Sequence, residues 1–254
     1  LLDMAVSEMG LKRFAILYPE NSYGHFLLDL FWDRLEEVGG VVTAVESYET
    51  EETDFAGQIK KMTGLYYPRP QSLVRKLKDM RTPEEEESII YSEDPEPIVD
   101  FDAVFMPDNF QRVAMIAPQL VYYDVMDVLL MGTSLWQSPQ LIEMAGDYVQ
   151  GSLFTSGFFG DLENPAVKEF VQAYETNFDA VPGILAATGH DTINFLEELI
   201  TQERIRTRRD LRDALLNYYY FNGVTGNISF GFEGEVEKEP LLLTISGSKI
   251  TLFR

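Results

Sequence analysis

The 254-residue chain lacks cysteine, contains only two histidines, and has no long uninterrupted apolar run. The absence of cysteine excludes disulfides, thiolate metal sites and a cysteine nucleophile, and it suits either a reducing cytosol or a periplasm. No apolar run approaches the ~18 residues of a membrane span, and the first residues lack the order of a signal peptide. We therefore expect no direct membrane insertion in this segment. Because the chain does not start with Met, we expect it to begin inside a longer precursor.

Positive charge is scarce. The sequence has 20 Lys and Arg against 42 Asp and Glu, which gives a net charge of −22 and a pI near 4.3. A chain with this charge repels phosphate backbones. The balance therefore argues against nucleic acid as a partner.

Catalytic signatures are also missing. The sequence has no P-loop, no Gly-rich dinucleotide fingerprint, no HExxH and no GxSxG. The His190-Asp191 pair would need several further histidines to form a metal phosphohydrolase centre, and we expect His190 to cap or pack at a helix start. Paired carboxylates carry almost no information in so acidic a chain. We predict a protein that is not an enzyme, with no catalytic residues, no metal site and no cofactor.

Strand and helix patterns alternate along the chain. Short apolar runs at 14–19, 41–49, 102–107, 128–133 and 149–157 are typical of strands, and amphipathic segments between them are typical of helices. This alternation predicts an α/β fold with a doubly wound, mainly parallel sheet. Ligands bind such sheets beyond the carboxyl ends of the strands.

Three strand ends share one composition. YPENSYG, MPDNFQR and MGTSLWQ each pass from a hydrophobic run through Pro or Gly to polar and aromatic residues. These residue types also suit ordinary βα loops, but their recurrence favours a binding edge. We predict that Tyr23, Asn109, Ser134 and Trp136 surround one cleft and bind the ligand, because their loops leave the same edge of the sheet. Core packing is the alternative for Trp136.

An acidic insertion, residues 66–100, interrupts the alternation. Its stretch 79–100 holds nine acids, one Arg and three prolines, which predicts a solvated loop rather than a sheet element or a calcium site. We expect deletion of 79–100 to leave the melting temperature within a few degrees. The basic run RIRTRRDLR at 204–212 predicts a helix start with an exposed face rather than a phosphate site.

The ordered motifs carry a resemblance to a known family. KRFAILYPENSYG, FDAVFMPDNFQRVAMIAPQL, MGTSLWQSPQLIEMAGDYVQG, NPAVKEFVQAYETNF and FNGVTGNISFGFEGE together resemble the type I periplasmic binding proteins. The sequence looks closest to the leucine/isoleucine/valine-receptor family and to its penicillin-binding protein activator-like branch. The resemblance implies two α/β lobes that close on a small ligand.

The resemblance also assigns regions. It implies that residues 1–182 form the second, C-terminal lobe, that 183–223 supply helices returning towards the first lobe, and that 224–254 are terminal strands. The first stretch of the first lobe has no counterpart, so the chain would hold one nearly complete lobe plus return segments of another. We therefore expect this chain alone to bind no small ligand at micromolar affinity.

The resemblance assigns roles to single positions. Tyr23 matches a tyrosine that lines the ligand cleft of amino-acid receptors, and Asn109 and Phe110 fall where those receptors carry an aromatic contact. Ser134 falls where they carry a glutamate that neutralises the ligand's ammonium group. Because serine supplies hydrogen bonds but no negative charge, this departure argues against recognition of a free α-amino acid.

Two functions follow from the resemblance. The first is a non-catalytic receptor of an ABC importer that binds a small polar or aromatic solute, amino-acid-like or not, in an inter-lobe cleft and presents it to an ABC permease. The second is an activator-like envelope protein that contacts a cell-wall synthase and has a vestigial cleft. Both imply a periplasmic or envelope-associated location, with a lipid anchor outside this chain as one form of attachment.

Overall fold

A computed structural model of the chain describes residues 1–79, 96–203, 205–217, 220–231 and 234–253. These residues form two compact units, one of residues 1–154 with 244–253 and one of residues 155–243. The expected lobe boundary at 182 differs from this division, because the segments on both sides of residue 182 pack together around Phe158 and Phe170. The assignment of regions to lobes stays a prediction.

The first unit is built on a seven-stranded sheet with the order β10-β9-β5-β4-β3-β1-β2. The strands are β1 Arg13–Pro19, β2 Val41–Tyr48, β3 Ala103–Phe105, β4 Leu129–Gly132, β5 Leu153–Ser156, β9 Leu241–Ser246 and β10 Lys249–Leu252. The ladders β2–β1, β1–β3, β3–β4 and β4–β5 are all parallel. The predicted doubly wound, mainly parallel α/β sheet is therefore confirmed.

Helices connect these strands, as the alternation predicted. They are α1 Ser22–Glu37, α2 Ala56–Met62, α3 Gln71–Asp79, α4 Phe110–Tyr122 and α5 Pro139–Ala145, with short 3₁₀ turns at Ser134–Trp136 and Gly146–Val149 and a π-helical turn at Met4–Glu8. Helix α3 lies in the acidic insertion and ends where the predicted solvated loop, 79–100, begins. Leu73, Val74 and Leu77 recur at helical spacing among polar residues, which supports this helix. The loop prediction itself falls largely on residues 80–95, outside the described residues.

Burial on both faces of the sheet explains why its strands read as continuous apolar runs. Phe14, Ala15, Ile16 and Leu17 are consecutive in β1, and all four are fully buried. Since alternate side chains of a strand point to opposite faces, both faces of the sheet must be covered. On one face, Phe31 of α1 stacks on Phe105 with 4.0 Å between ring centroids.

The second unit combines three helices with a small antiparallel sheet. Its elements are α6 Pro165–Phe178, α7 Ile184–Glu203, α8 Arg208–Asn217, β6 Phe221–Gly223, β7 Gly226–Phe230 and β8 Val236–Glu237. Asp191 of α7 is buried and accepts hydrogen bonds from the backbone N–H groups of Val224 and Thr225, both at 2.8 Å. This carboxylate fixes the turn between β6 and β7 to α7.

His190 lies inside α7 rather than at a helix start, because that helix begins at Ile184. Its ring centroid is 4.6 Å from that of Phe170, and its ring nitrogens face the amide of Asn194. Packing is therefore its observed role. None of the helices in the described part of the chain is long and apolar enough to cross a membrane.

Candidate ligand-binding edge

The three loops predicted to bind a ligand leave neighbouring strands of the first unit. β4, β3 and β1 are consecutive in the sheet and parallel, so the loops that follow them emerge at the same edge. A hydrogen bond joins two of the loops, because the Tyr23 hydroxyl lies 3.0 Å from Oγ1 of Thr133. We call this surface the carboxyl edge.

The loop after β1 is set by a close turn. Asn21 caps α1, since its Oδ1 accepts a hydrogen bond of 2.8 Å from the Gly24 N–H. A Cβ on Gly24 would lie 2.0 Å from the carbonyl oxygen of Pro19, so only glycine fits here. The turn presents Tyr23, whose side chain stays 40% exposed while its hydroxyl reaches across to the loop after β4.

The loop after β4 is built around a buried tryptophan. Trp136 is fully buried, and its Nε1–H donates to the carbonyl oxygen of Met106 at 3.2 Å. Its ring packs so close to Gly132 that a Cβ there would lie 2.1 Å from the ring. Of the two interpretations of Trp136, core packing is therefore observed, and the ring supports the loop from below. Ser134, by contrast, is exposed at the carboxyl edge.

The loop after β3 contains an acid that the sequence analysis missed. Asp108 is 9% exposed, and its Oδ2 accepts a hydrogen bond of 2.7 Å from the hydroxyl of Tyr48 at the end of β2. Burial first, and then the nearby carboxylate, raise the pKa of Tyr48 far above its usual value. The Asp that follows Pro107 at the predicted strand end was a usable signal for a polar residue at this edge. Its hydrogen bond was not predictable, because its tyrosine partner is sixty residues away.

Asn109 and Phe110 organise the start of α4. The Asn109 backbone N–H and side-chain amide both donate to Asp108 Oδ1, at 2.6 and 2.9 Å, and Asn109 Oδ1 accepts from the Arg112 N–H at 3.0 Å. Asn109 is thus the N-cap of α4, and both it and Phe110 are half-buried. The structure brings their loop to the carboxyl edge, and a direct ligand contact by either residue stays a prediction.

The carboxyl edge carries charged groups of both signs. Glu20 follows β1 and is exposed, and hydrogen bonds from Ser47 and then His25 lower its pKa; the His25 contact is 2.8 Å long. The guanidinium of Arg112 donates hydrogen bonds to the carbonyl oxygens of Thr50 and Glu52. The edge therefore offers hydroxyl groups, an aromatic ring and a carboxylate to a solute.

The same fold occurs in solved receptor structures. A leucine binding protein from Thermotoga maritima aligns with 100% of this chain and 63% of its own, at 20% identity and a TM-score of 0.68. A branched-chain amino acid transporter substrate binding protein from Streptococcus pneumoniae, solved with isoleucine, aligns over 98% and 61% at 19% identity and a TM-score of 0.65. A solute binding protein from R. palustris, solved with benzoate, aligns over 98% and 59% at 15% identity and a TM-score of 0.63.

These likenesses establish the fold, and the chain spans about three fifths of the length of the structures it matches. The comparison with curated proteins gives no match. The profile of a family described as periplasmic binding protein matches residues 99–238, which is more than half of the 254 residues. The chain therefore belongs to the periplasmic binding protein family.

Proposed function

We propose that this chain is part of a non-catalytic, extracytoplasmic receptor of an ABC importer, and that the carboxyl edge of its first unit binds a small solute. The observation that carries the proposal is the 3.0 Å contact between Tyr23 and Thr133. It joins two loops that are 110 residues apart at the edge where α/β sheets bind ligands. Family membership supports the same function.

The side chains at this edge favour a neutral polar or aromatic solute. Tyr23 and Ser134 are exposed hydroxyl donors and acceptors, and Tyr23 adds an aromatic face. Glu20 places one carboxylate at the edge, while Ser134 supplies none for an ammonium group. The relatives were solved with ligands as different as isoleucine and benzoate, so the fold does not restrict the solute to amino acids.

The remaining parts of the proposal concern the whole protein. A permease that accepts the solute is the expected partner, and the location is periplasmic or envelope-associated. We also propose that residues 1–182 form the second lobe of the receptor, with 183–223 as helices returning towards the first lobe and 224–254 as terminal strands. Because the chain spans about three fifths of the relatives' length, we expect micromolar binding only in a protein that supplies the remainder.

A thermal-shift screen tests the proposal. The longest form that the gene encodes is screened against branched-chain and aromatic amino acids, benzoate and other aromatic acids, nucleosides, short peptides and cell-wall fragments, with calorimetry on each hit. A ligand at a hundredfold its Kd adds about 2.7 kcal/mol of stability, which raises Tm by several degrees.

Two tyrosine variants localise any binding. Tyr23→Phe removes only the hydroxyl at the carboxyl edge, and it should weaken binding roughly three- to tenfold through loss of one hydrogen bond. Tyr122→Phe is the matched control, because Tyr122 is 78% exposed at the end of α4, at the opposite edge of the sheet. Equal effects of the two changes would refute the proposed location.

The second candidate function is the activator-like envelope protein with a vestigial cleft, and the serine at position 134 is the observation that favours it. If no ligand of the panel changes the Tm, the activator-like function is favoured over the receptor function. Capture of a purified cell-wall synthase by the protein would then be the direct assay. Binding of a panel ligand that Tyr23→Phe weakens would instead exclude a vestigial cleft.

A further inference from the structure

Positive charge is concentrated in two segments of this acidic chain, residues 55–78 and the basic run at 204–212. Residues 55–78 contain six Lys and Arg and no Asp or Glu. The other 230 residues hold the remaining 14 Lys and Arg (20 − 6) and all 42 acids. Such segregation of charge is typical of an interaction surface rather than of a uniformly solvated one.

The structure places the end of α2 and the turn after it at the amino edge of the sheet, opposite the proposed ligand site. Helix α2 runs back from the carboxyl end of β2 towards the start of β3, so its last residues lie at the amino edge. The following turn is fixed there, because the Ile98 N–H donates to the Thr63 carbonyl oxygen at 2.9 Å. Arg69 Nε donates to the Gly64 carbonyl oxygen at 3.2 Å, and α3 begins two residues later.

We define the basic strip as five of the six cations of residues 55–78 together with two tyrosines. Its members are Lys60, Lys61, Tyr66, Tyr67, Arg69, Arg75 and Lys76. Tyr66 and Tyr67 are 49% and 69% exposed, and their ring centroids are 4.8 Å apart. Arg75 and Lys76 are exposed on α3.

Two lysines of the strip lie over aromatic rings. The Lys61 ammonium lies 5.5 Å from the Tyr66 ring centroid, and the Lys60 ammonium lies 5.3 Å from that of Tyr123. Lys61 also pairs with Glu46 at 3.1 Å. Tyrosine and arginine, both present in the strip, are residue types enriched at protein–protein interfaces.

We propose that the basic strip binds an acidic segment of a partner protein. The charge of the strip is opposite to that of such a segment, and the exposed tyrosines supply contact area at low cost in side-chain entropy. An extended peptide would touch only the strip. A flat anionic bilayer would also approach the rest of the unit. Because the chain as a whole has a net charge of −22, it would repel such a surface.

The test is fluorescence anisotropy with a labelled polyglutamate peptide, titrated with the folded chain at low and at physiological salt. The strip variant combines Lys60→Gln, Arg75→Gln and Lys76→Gln. The control variant makes the same charge change in the second unit with Arg206→Gln, Arg208→Gln and Arg209→Gln. Thermal melts of both variants check that each still folds.

We expect the peptide to bind the unmodified chain, and to bind it less tightly as salt rises. The strip variant should lose about tenfold in affinity, whereas the control should stay within about twofold because its charges lie outside the strip. Equal losses in the two variants, or no binding of the peptide at low salt, would overturn the proposal. Binding to vesicles of phosphatidylcholine and phosphatidylglycerol, but not to the peptide, would overturn it in favour of a membrane surface.

Discussion

Replacing Asp102 with Asn removes a carboxylate that ties β1 to β3 at the amino edge. Asp102 Oδ2 accepts from the backbone N–H groups of Lys12 and Arg13 at 3.0 and 2.9 Å. Its Oδ1 accepts from Arg13 Nη2 at 2.6 Å and Nε at 3.2 Å. Asparagine keeps the shape of the side chain but loses the charge and one acceptor oxygen, so the change removes the charge together with the hydrogen bonds to that oxygen.

The expected loss follows from the pKa of the carboxyl group. The Arg13 guanidinium, followed by the backbone donors, lowers the pKa of Asp102 from 3.8 to about 2. At about 1.4 kcal/mol per pKa unit, this shift corresponds to an upper bound of roughly 2.5 kcal/mol. Arg13 is 52% exposed, and solvent screening of its charge reduces the expected cost to about 1–2 kcal/mol.

The pH dependence has a definite sign. Because the folded-state pKa is lowered, the stabilisation is fully present above the unfolded pKa of about 3.8 and is lost as pH falls towards 2. About half of it should be gone near pH 3. The stability difference between the unmodified chain and Asp102→Asn should therefore shrink between pH 4 and about pH 2.

Tryptophan fluorescence in urea measures this difference for the first unit alone, since both tryptophans, Trp32 and Trp136, lie in that unit. Asp33→Asn, on the exposed side of α1, is the matched control and should change stability by less than about 0.5 kcal/mol. If Asp102→Asn costs no more than the control, or if its cost is the same at pH 7 and near pH 3, the reasoning is refuted.

Three further changes, the first with a matched control, test packing and buried hydrogen bonds. Gly132→Ala should cost about 1–3 kcal/mol and shift the emission of Trp136 to the red, because the new Cβ would meet the indole ring. Gly57→Ala in α2, where nothing lies within 4 Å, should be neutral or stabilising, and a loss there comparable to that of Gly132→Ala would contradict the steric argument. Asp191→Asn should destabilise the second unit by about 2–3 kcal/mol, seen in circular dichroism melts, and a Tm equal to that of the unmodified chain would count against a structural role. Tyr48→Phe leaves a buried carboxylate without its hydroxyl donor and should cost about 1–2 kcal/mol in urea unfolding, whereas a neutral result would show that water replaces the hydroxyl.

Part of the candidate site was predictable from local sequence alone. Asn21 and Asn109 stand directly before amphipathic segments, and both cap the helices that follow. The Gly-Thr-Ser end of β4 predicted an exposed loop, and Ser134 is exposed. These features depend on residues within a few positions of each other, which is the range over which turn and capping chemistry acts.

The role of Trp136 was not predictable in this way. Its position after a strand end suited both a ligand wall and core packing. The outcome was decided by Gly132, which makes room for the ring, and by the Met106 carbonyl, which receives its N–H. Likewise, the sequence MPDN does not show that Asp108 is buried, because its burial accompanies a hydrogen bond with Tyr48, which is distant in the sequence.

The sequence by itself determined the alternation of strands and helices, since burial on both faces leaves continuous apolar runs in the strands and one apolar stripe on each helix. It also carried the family resemblance, because the order of motifs along the chain is a property of the sequence. Only the tertiary structure decided that Tyr23 meets Thr133, that Tyr48 buries Asp108, and that the basic strip lies at the edge opposite to both. Those contacts join residues far apart in the chain, and they depend on strand order and helix packing, which no local pattern encodes.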